Sequence, residues 1–253
     1  MSLQFIIGNS GAGKSGTAYE NIIREASANP DRLYYVIVPE QFTMQTQKTL
    51  VEMHPDGGIL NIDILSFERL AYRVFEEVGG DTRRIMEETG KNMVLQKLVQ
   101  MNQKDLVYLR NQMKKPGYLD EVKSLISEFM QYEIKEEELD EMIRESEDKT
   151  LLQMKLQDVK VLYQAFREYL SGHFMTTEEV LEVLAKEIQF SEKLKESVLL
   201  LDGYTGFTPV QLEVLRELLA VCERVSVTVT MDVREQFLAM GKPHELFYMS
   251  HKM

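Results

Sequence analysis

Short apolar runs open the chain, separated by stretches of helical period. Leu3-Gln4-Phe5-Ile6-Ile7 predicts a strand, the residues near 16–28 a helix, and Tyr34-Tyr35-Val36-Ile37-Val38 a second strand. A run apolar at every residue fits a strand buried on both faces of a parallel sheet. Pro39 ends it, a helix is predicted near 43–53, and Leu60-Asn61-Ile62-Asp63-Ile64-Leu65 predicts a third strand. Ser66 stands where a hydroxyl can accept an N–H group left free by the first turn of a helix starting at Phe67.

From about 67 to 195 the period is helical. Val122, Leu125, Ile126, Phe129 and Met130 fall on one stripe, and Leu152, Leu156, Val159, Leu162, Phe166 and Tyr169 on another. The methionines and aromatics on these stripes read as core packing. Pro116-Gly117 interrupts the region, and Thr176-Thr177-Glu178-Glu179 has the spacing of a capping box. Strand character returns at Val198-Leu199-Leu200-Leu201 and at Val225-Ser226-Val227-Thr228-Val229-Thr230-Met231. Between them Thr208, Pro209 and Gln211 mark the start of a helix. The assembly these elements predict is α/β: residues 1–66 and 196–253 form a parallel-sheet domain, and 67–195 form a helical insertion. After Asp232 the pattern weakens, and the α/β domain is expected to be cut short at its C-terminal end.

The loop between the first strand and the first helix reads Gly8-Asn9-Ser10-Gly11-Ala12-Gly13-Lys14-Ser15, a full match to the P-loop pattern G-x-x-x-x-G-K-[ST]. Glycines at 8, 11 and 13 let backbone N–H groups turn inward around phosphate oxygens with no Cβ in the way. The following helix adds its positive N-terminal end. Lys14 is expected to reach the β and γ phosphates of ATP, and the Ser15 hydroxyl to ligate Mg²⁺. Asp202, ending the run Val198–Leu201, is the acid expected in the magnesium shell, because the carboxyl edge of a buried parallel strand lies near such a loop. Many P-loop motors follow this acid with a glutamate that activates water. Here the next residue is Gly203, so slow hydrolysis is expected unless another carboxylate, such as Glu40 after the second strand, takes that role.

Composition narrows the partners. Of 253 residues, 44% are hydrophobic and 28% charged, with a net charge of −12, so the chain can build a core but lacks a broad basic footprint for a phosphate backbone. Nucleic acid would be met through a local patch or with another chain. The acidic run Lys135–Glu141 reads as a solvated helix face. A single cysteine, Cys222, excludes a disulfide framework and reads as a buried spectator. No window approaches the ~18 apolar residues of a membrane span, which predicts a cytoplasmic protein away from membranes. His54, His173, His244 and His251 show no metal-ligand spacing, and Arg110 with Lys114 and Lys115 reads as a solvated basic turn.

Taken together these pieces resemble the N-terminal part of the AddB family (RexB in some lineages), the B subunit of the bacterial ATP-dependent helicase/deoxyribonuclease. The resemblance rests on the early P-loop, on Val38-Pro39-Glu40-Gln41-Phe42-Thr43, on Leu65-Ser66-Phe67-Glu68-Arg69-Leu70, and on Leu201-Asp202-Gly203-Tyr204-Thr205-Gly206-Phe207-Thr208-Pro209 at the Walker B position. It implies a RecA-like P-loop domain of the superfamily 1 helicase domain 1A type. It further implies ATP and Mg²⁺ at Gly8–Ser15 and Asp202, and a heterodimer with an AddA-type helicase/nuclease subunit that carries the main motor. DNA is then reached through the full complex, which processes double-strand breaks for recombinational repair. Gln41, Thr43, Ser66 and Phe67 fall where related motors touch single-stranded DNA.

The resemblance also marks what is missing from these residues: a second RecA-like domain, a nuclease, and the cysteines of an iron–sulfur cluster, expected only in the C-terminal region of the full-length family protein. Seven residues before Gly8 leave no room for an upstream adenine-reading glutamine motif. The chain alone is therefore expected to be neither helicase nor nuclease. Two other readings stand beside this one: a stand-alone P-loop phosphotransferase with a helical lid, and a non-hydrolysing NTP-binding interaction module.

Overall fold

The computed structural model of the protein describes residues 2–79, 83–113, 115, 117–171 and 174–231. In chain order, β1 (Ser2–Gly8) leads into α1 (Lys14–Ala28), followed by β2 (Tyr34–Ile37), α2 (Thr43–Met53), β3 (Ile62–Leu65) and α3 (Phe67–Val78). Then come β4 (Arg84–Ile85), α4 (Glu88–Met101), α5 (Leu109–Gln112), α6 (Tyr118–Gln131), α7 (Glu136–Glu145), α8 (Thr150–Leu170) and β5 (Phe174–Met175). α9 (Thr177–Glu187), α10 (Glu192–Lys195), β6 (Val198–Leu201), α11 (Pro209–Val221) and β7 (Arg224–Thr230) complete the set. The chain divides into two compact units, 1–80 with 181–253, and 81–180.

The first unit is α/β, built on a five-stranded sheet of order β1-β7-β6-β2-β3 in which every pairing is parallel. Parallel neighbours need crossover connections, and the helices in those crossovers cover the faces of the sheet. β2 and β6 are accordingly buried at every residue. Tyr34, Val36, Val198 and Leu200 share a core with Ala18, Ile22 and Ile23 of α1 and Leu50 of α2. Because all five strands run the same way, the turns that leave β1, β2 and β6 gather at one end of the sheet. The order has a consequence that periodicity does not reveal: β7 separates the strand before the glycine-rich loop from the strand before Asp202.

Local chemistry sets the helix starts. Ser66 Oγ accepts the Arg69 N–H at 3.3 Å and caps α3. Thr208 and Gln211 exchange hydrogen bonds of 3.3 and 3.0 Å across the first turn of α11, with Pro209 at its first position. Thr176 and Glu179 do the same for α9 at 3.3 and 3.0 Å.

The second unit is helical. Leu95 and Leu98 of α4, Ile126 and Phe129 of α6, and Leu162 and Phe166 of α8 form its centre. Val122, Ile126, Phe129 and Met130 of the α6 stripe are buried as their spacing predicts, and Leu125 is half-buried against the same core. On α8 the stripe holds from Val159 onward, whereas Leu152 is exposed because the first turns of that helix extend past the core. α7 carries the acidic run on its exposed side and inserts Leu139 into the core. The parallel pair β4–β5, Arg84 with Phe174 and Ile85 with Met175, was not expected. Lys114, Pro116, His173, Asp232, His244 and His251 lie outside the described residues. No helix among the described residues is long and apolar enough to cross a membrane.

Candidate functional site

The loop after β1 is shaped by its glycines. A Cβ on Gly8 would come within 3.2 Å of Ala12 Cβ and 3.3 Å of Lys14 Cγ, tighter than ordinary contact, so any side chain there would make its neighbours give by a few tenths of an ångström. Gly11 and Gly13 take φ of 76° and 80°, a left-handed conformation that costs other residues energy. The turn is fastened by the Ala12 N–H donating to Asn9 O at 3.1 Å. Lys14 Nζ donates to the same carbonyl at 2.9 Å. Gly13 caps α1 with no side-chain acceptor, which leaves the first-turn N–H groups of a 15-residue helix without a side-chain partner. Asn9 to Gly13 are exposed, so backbone donors, the helix end and an ammonium group converge on accessible space. That donor set fits a polyphosphate anion.

Asp202 stands one residue past β6, its N–H donating to Ile37 O at 3.0 Å. It is 5% exposed. Its Oδ1 accepts from Ser15 Oγ at 2.9 Å and from Thr228 Oγ1 at 2.6 Å, and its Oδ2 accepts from Tyr19 OH at 2.5 Å. The sequence-predicted pair Ser15 and Asp202 therefore meets, across the intervening β7. Tyr19 and Thr228 were not anticipated. Tyr19 follows Ser15 by one helical turn, and Thr228 arrives because Leu201 is in register with Val227. Burial first, then the Asp202 carboxylate, drives the Tyr19 phenol far above the ordinary tyrosine value, so it stays a neutral donor. The signals were weak: a tyrosine on an apolar helix face, and a threonine in a strand flanked by valines. Ser15 and Asp202 together form an oxygen pair of the kind a hard cation such as Mg²⁺ takes.

Gly203 has φ of 79°, and a Cβ there would lie 3.6 Å from Pro39 Cδ and 3.8 Å from Phe42 Cδ2. Beyond it Tyr204 and Phe207 pack with Phe67, at ring-centroid distances of 5.5 and 6.4 Å to Phe67 and 5.1 Å to each other. Phe67 is buried in this cluster, and Ser66 is buried with its hydroxyl used as a helix cap. Thr43 is likewise buried and donates to Glu40 O at 2.9 Å. Gln41 and Phe42 are exposed. Glu40 is held by Arg69, whose Nη2 and Nε lie 2.9 and 3.1 Å from its Oε1.

Comparison with known proteins settles the kinship. A family model described as ADDB, N-terminal matches residues 5–253. The chain belongs to this family. It is 46% identical over 253 residues to a protein of Lachnoclostridium phytofermentans named as the B subunit of an ATP-dependent helicase/deoxyribonuclease, covering 100% of this chain and 22% of that protein. Proteins of the same name in Alkaliphilus metalliredigens and Heliobacterium modesticaldum are 34% and 36% identical, over 100% and 93% of this chain and 22% and 20% of theirs. The AddB-family chain thus spans about a fifth of the length of the curated relatives it matches.

Three other residues that the sequence singled out have local partners. Cys222 caps α11 in the interior, and burial pushes its thiol up to about 11. His54 accepts the Asp56 N–H at 3.2 Å within its own turn. Arg110 donates to Lys104 O at 2.8 Å.

Proposed function

We propose that the chain is the ATP-binding N-terminal region of the B subunit of a bacterial ATP-dependent helicase/nuclease that processes double-strand DNA breaks for recombinational repair. The five-stranded unit is then a RecA-like P-loop domain of the superfamily 1 domain 1A type, carried by 1–66 and 196–253. Residues 67–195 are its helical insertion, whose outer segments, before 81 and after 180, fold with the sheet. The observation that carries this reading is the 2.9 Å hydrogen bond between Ser15, closing the glycine-rich loop, and Asp202 after β6. Gly8 to Ser15 would hold the nucleotide phosphates through backbone N–H groups and Lys14, and Ser15 with Asp202 would hold Mg²⁺. The ion, when bound, offsets phosphate charge.

Family membership favours this reading over a stand-alone phosphotransferase. Within it, the chain binds ATP and turns it over slowly, because Gly203 follows Asp202 and Glu40 is engaged by Arg69. On that point the non-hydrolysing module and the repair protein coincide. Of the four DNA-contact positions, exposed Gln41 is the one free to meet a strand, with Phe42 beside it. Thr43, Ser66 and Phe67 are buried, so they are not placed to touch a strand directly. Unwinding and cleavage belong to the assembled cytoplasmic complex with an AddA-type partner, and the iron–sulfur cluster to the part of the longer family proteins that this chain does not span.

The test is ATP titration of the chain by calorimetry with Mg²⁺ present. Wild type should bind, and Lys14→Ala should lose binding. Equal affinity in the two would refute the nucleotide site.

A further inference from the structure

We infer that Tyr19 and Thr228 are positioning residues that set the Asp202 carboxylate for a magnesium–nucleotide complex, an inference that rests on the nucleotide reading above. Three elements meet at this acid. α1 contributes Ser15 and Tyr19, β7 contributes Thr228, and the end of β6 carries Asp202 itself. Tyr19 OH takes Oδ2 at 2.5 Å, while Thr228 Oγ1 shares Oδ1 with Ser15 at 2.6 and 2.9 Å. With one oxygen tied to Tyr19 and the other bridged from β7 to Ser15, the carboxylate has a single orientation.

Packing does not account for these hydroxyls. The Tyr19 ring lies in the apolar core beside Ile22, Ile23 and Val36, where phenylalanine would fill the same space. Thr228 is buried between Val227 and Val229, where valine would match its shape. The Thr228 hydroxyl adds a donor to Asp202, and the Tyr19 hydroxyl adds another while also taking a hydrogen bond from Thr46. All three donors are neutral. A lysine or arginine in their place would bring a counter-charge to the acid, whereas hydroxyls satisfy its lone pairs and bring no charge of their own. Such a carboxylate retains its attraction for a divalent cation and needs no reorientation when one arrives.

The experiment measures ATP affinity of the full chain by calorimetry across a magnesium series and in excess chelator. Wild type, Lys14→Ala, Tyr19→Phe, Thr228→Val and Thr228→Ser are compared. Tyr19→Phe and Thr228→Val should keep their metal-free affinity and raise the magnesium concentration for half-maximal effect by about tenfold, the order expected for one hydrogen bond to a charged group. Thr228→Ser, which keeps the donor, should return to the wild-type value. Magnesium curves for Tyr19→Phe and Thr228→Val that superpose on wild type would overturn the assignment. So would an equal loss of metal-free affinity, which marks a structural role. Failure of wild type itself to bind ATP would instead strike the nucleotide reading, and this inference with it.

Discussion

Two buried aspartates, one in each unit, solve the same problem in opposite ways. Asp158 of α8 is 1% exposed and is satisfied by backbone. The N–H groups of Val107, Tyr108 and Leu109 donate to its carboxylate at 2.7 to 3.1 Å, gathering the start of α5 onto α8. Asp202 is satisfied by side-chain hydroxyls from α1 and β7. Consecutive backbone N–H groups cannot turn away when their acceptor goes, so an acid bound to them is a structural fastening. Hydroxyls rotate, and an acid held by them stays able to exchange one partner for another. Burial and hydrogen bonding are thus alike at the two aspartates, and the kind of donor is what differs.

The largest expected effect breaks the fastening. In Asp158→Ala, three N–H groups lose their acceptor, that of Leu109 in a buried setting and those of Val107 and Tyr108 in a part-buried one. A buried donor left unsatisfied costs on the order of 1–3 kcal/mol, and the part-buried ones less. A loss of about 3 kcal/mol or more in the helical unit follows. Hydrogen exchange should show the amides of residues 107–112 losing protection, while calorimetry shows ATP affinity within about twofold of wild type. Persistent protection at those amides would mean that Asp158 is not what holds α5.

The matching change at the site should have a smaller structural and a larger functional effect. Asp202→Ala leaves the Tyr19 and Thr228 hydroxyls buried without this acceptor and that of Ser15 part-buried, but it also removes a buried carboxyl group whose own desolvation cost offsets much of that loss. Thermal unfolding should shift by only a few degrees, consistent with about 1 kcal/mol, while the magnesium dependence of ATP binding disappears. A collapse of stability comparable to that of Asp158→Ala would erase the distinction between the two acids.

How legible this was depended on the range of the interaction. β1, the glycine-rich loop and the fully buried strands β2 and β6 could be read because each is a contiguous signal, and so could the caps at Ser66, Thr176 and Thr208, which act within one turn. Ser15 and Asp202 were joined because a parallel sheet brings its carboxyl ends together. What escaped was whatever depended on partners chosen in three dimensions. The insertion of β7 between β1 and β6 is a matter of strand order, to which periodicity is blind. β4 and β5 are two residues each and pair across some ninety residues, too short to alternate visibly. Tyr19 and Thr228 look like core residues because all but their hydroxyls are core. Asp158 went unremarked beside the α8 stripe because its partners are backbone atoms, which leave no mark in side-chain pattern.

The backbone also limits Asp202, through the residue that follows it. A glutamate at 203 is the obvious way to ask whether the site lacks only a water-activating carboxylate. At φ of 79°, however, Gly203 occupies a conformation that costs a side-chain-bearing residue about 1–2 kcal/mol. The contacts a Cβ would make with Pro39 and Phe42, at 3.6 and 3.8 Å, are ordinary ones. Strain rather than collision is thus the penalty, and the new side chain would start out toward Pro39 and Phe42. Gly203→Ala should therefore lower stability by about 1 kcal/mol, and Gly203→Glu should match it with no rise in ATP turnover above wild type. Turnover that climbs tenfold or more in Gly203→Glu but not in Gly203→Ala would show that the carboxylate reaches the loop after all. The hydroxyl-held acid would then be one residue short of a hydrolytic site, and the geometry of its neighbour would not be what keeps turnover slow.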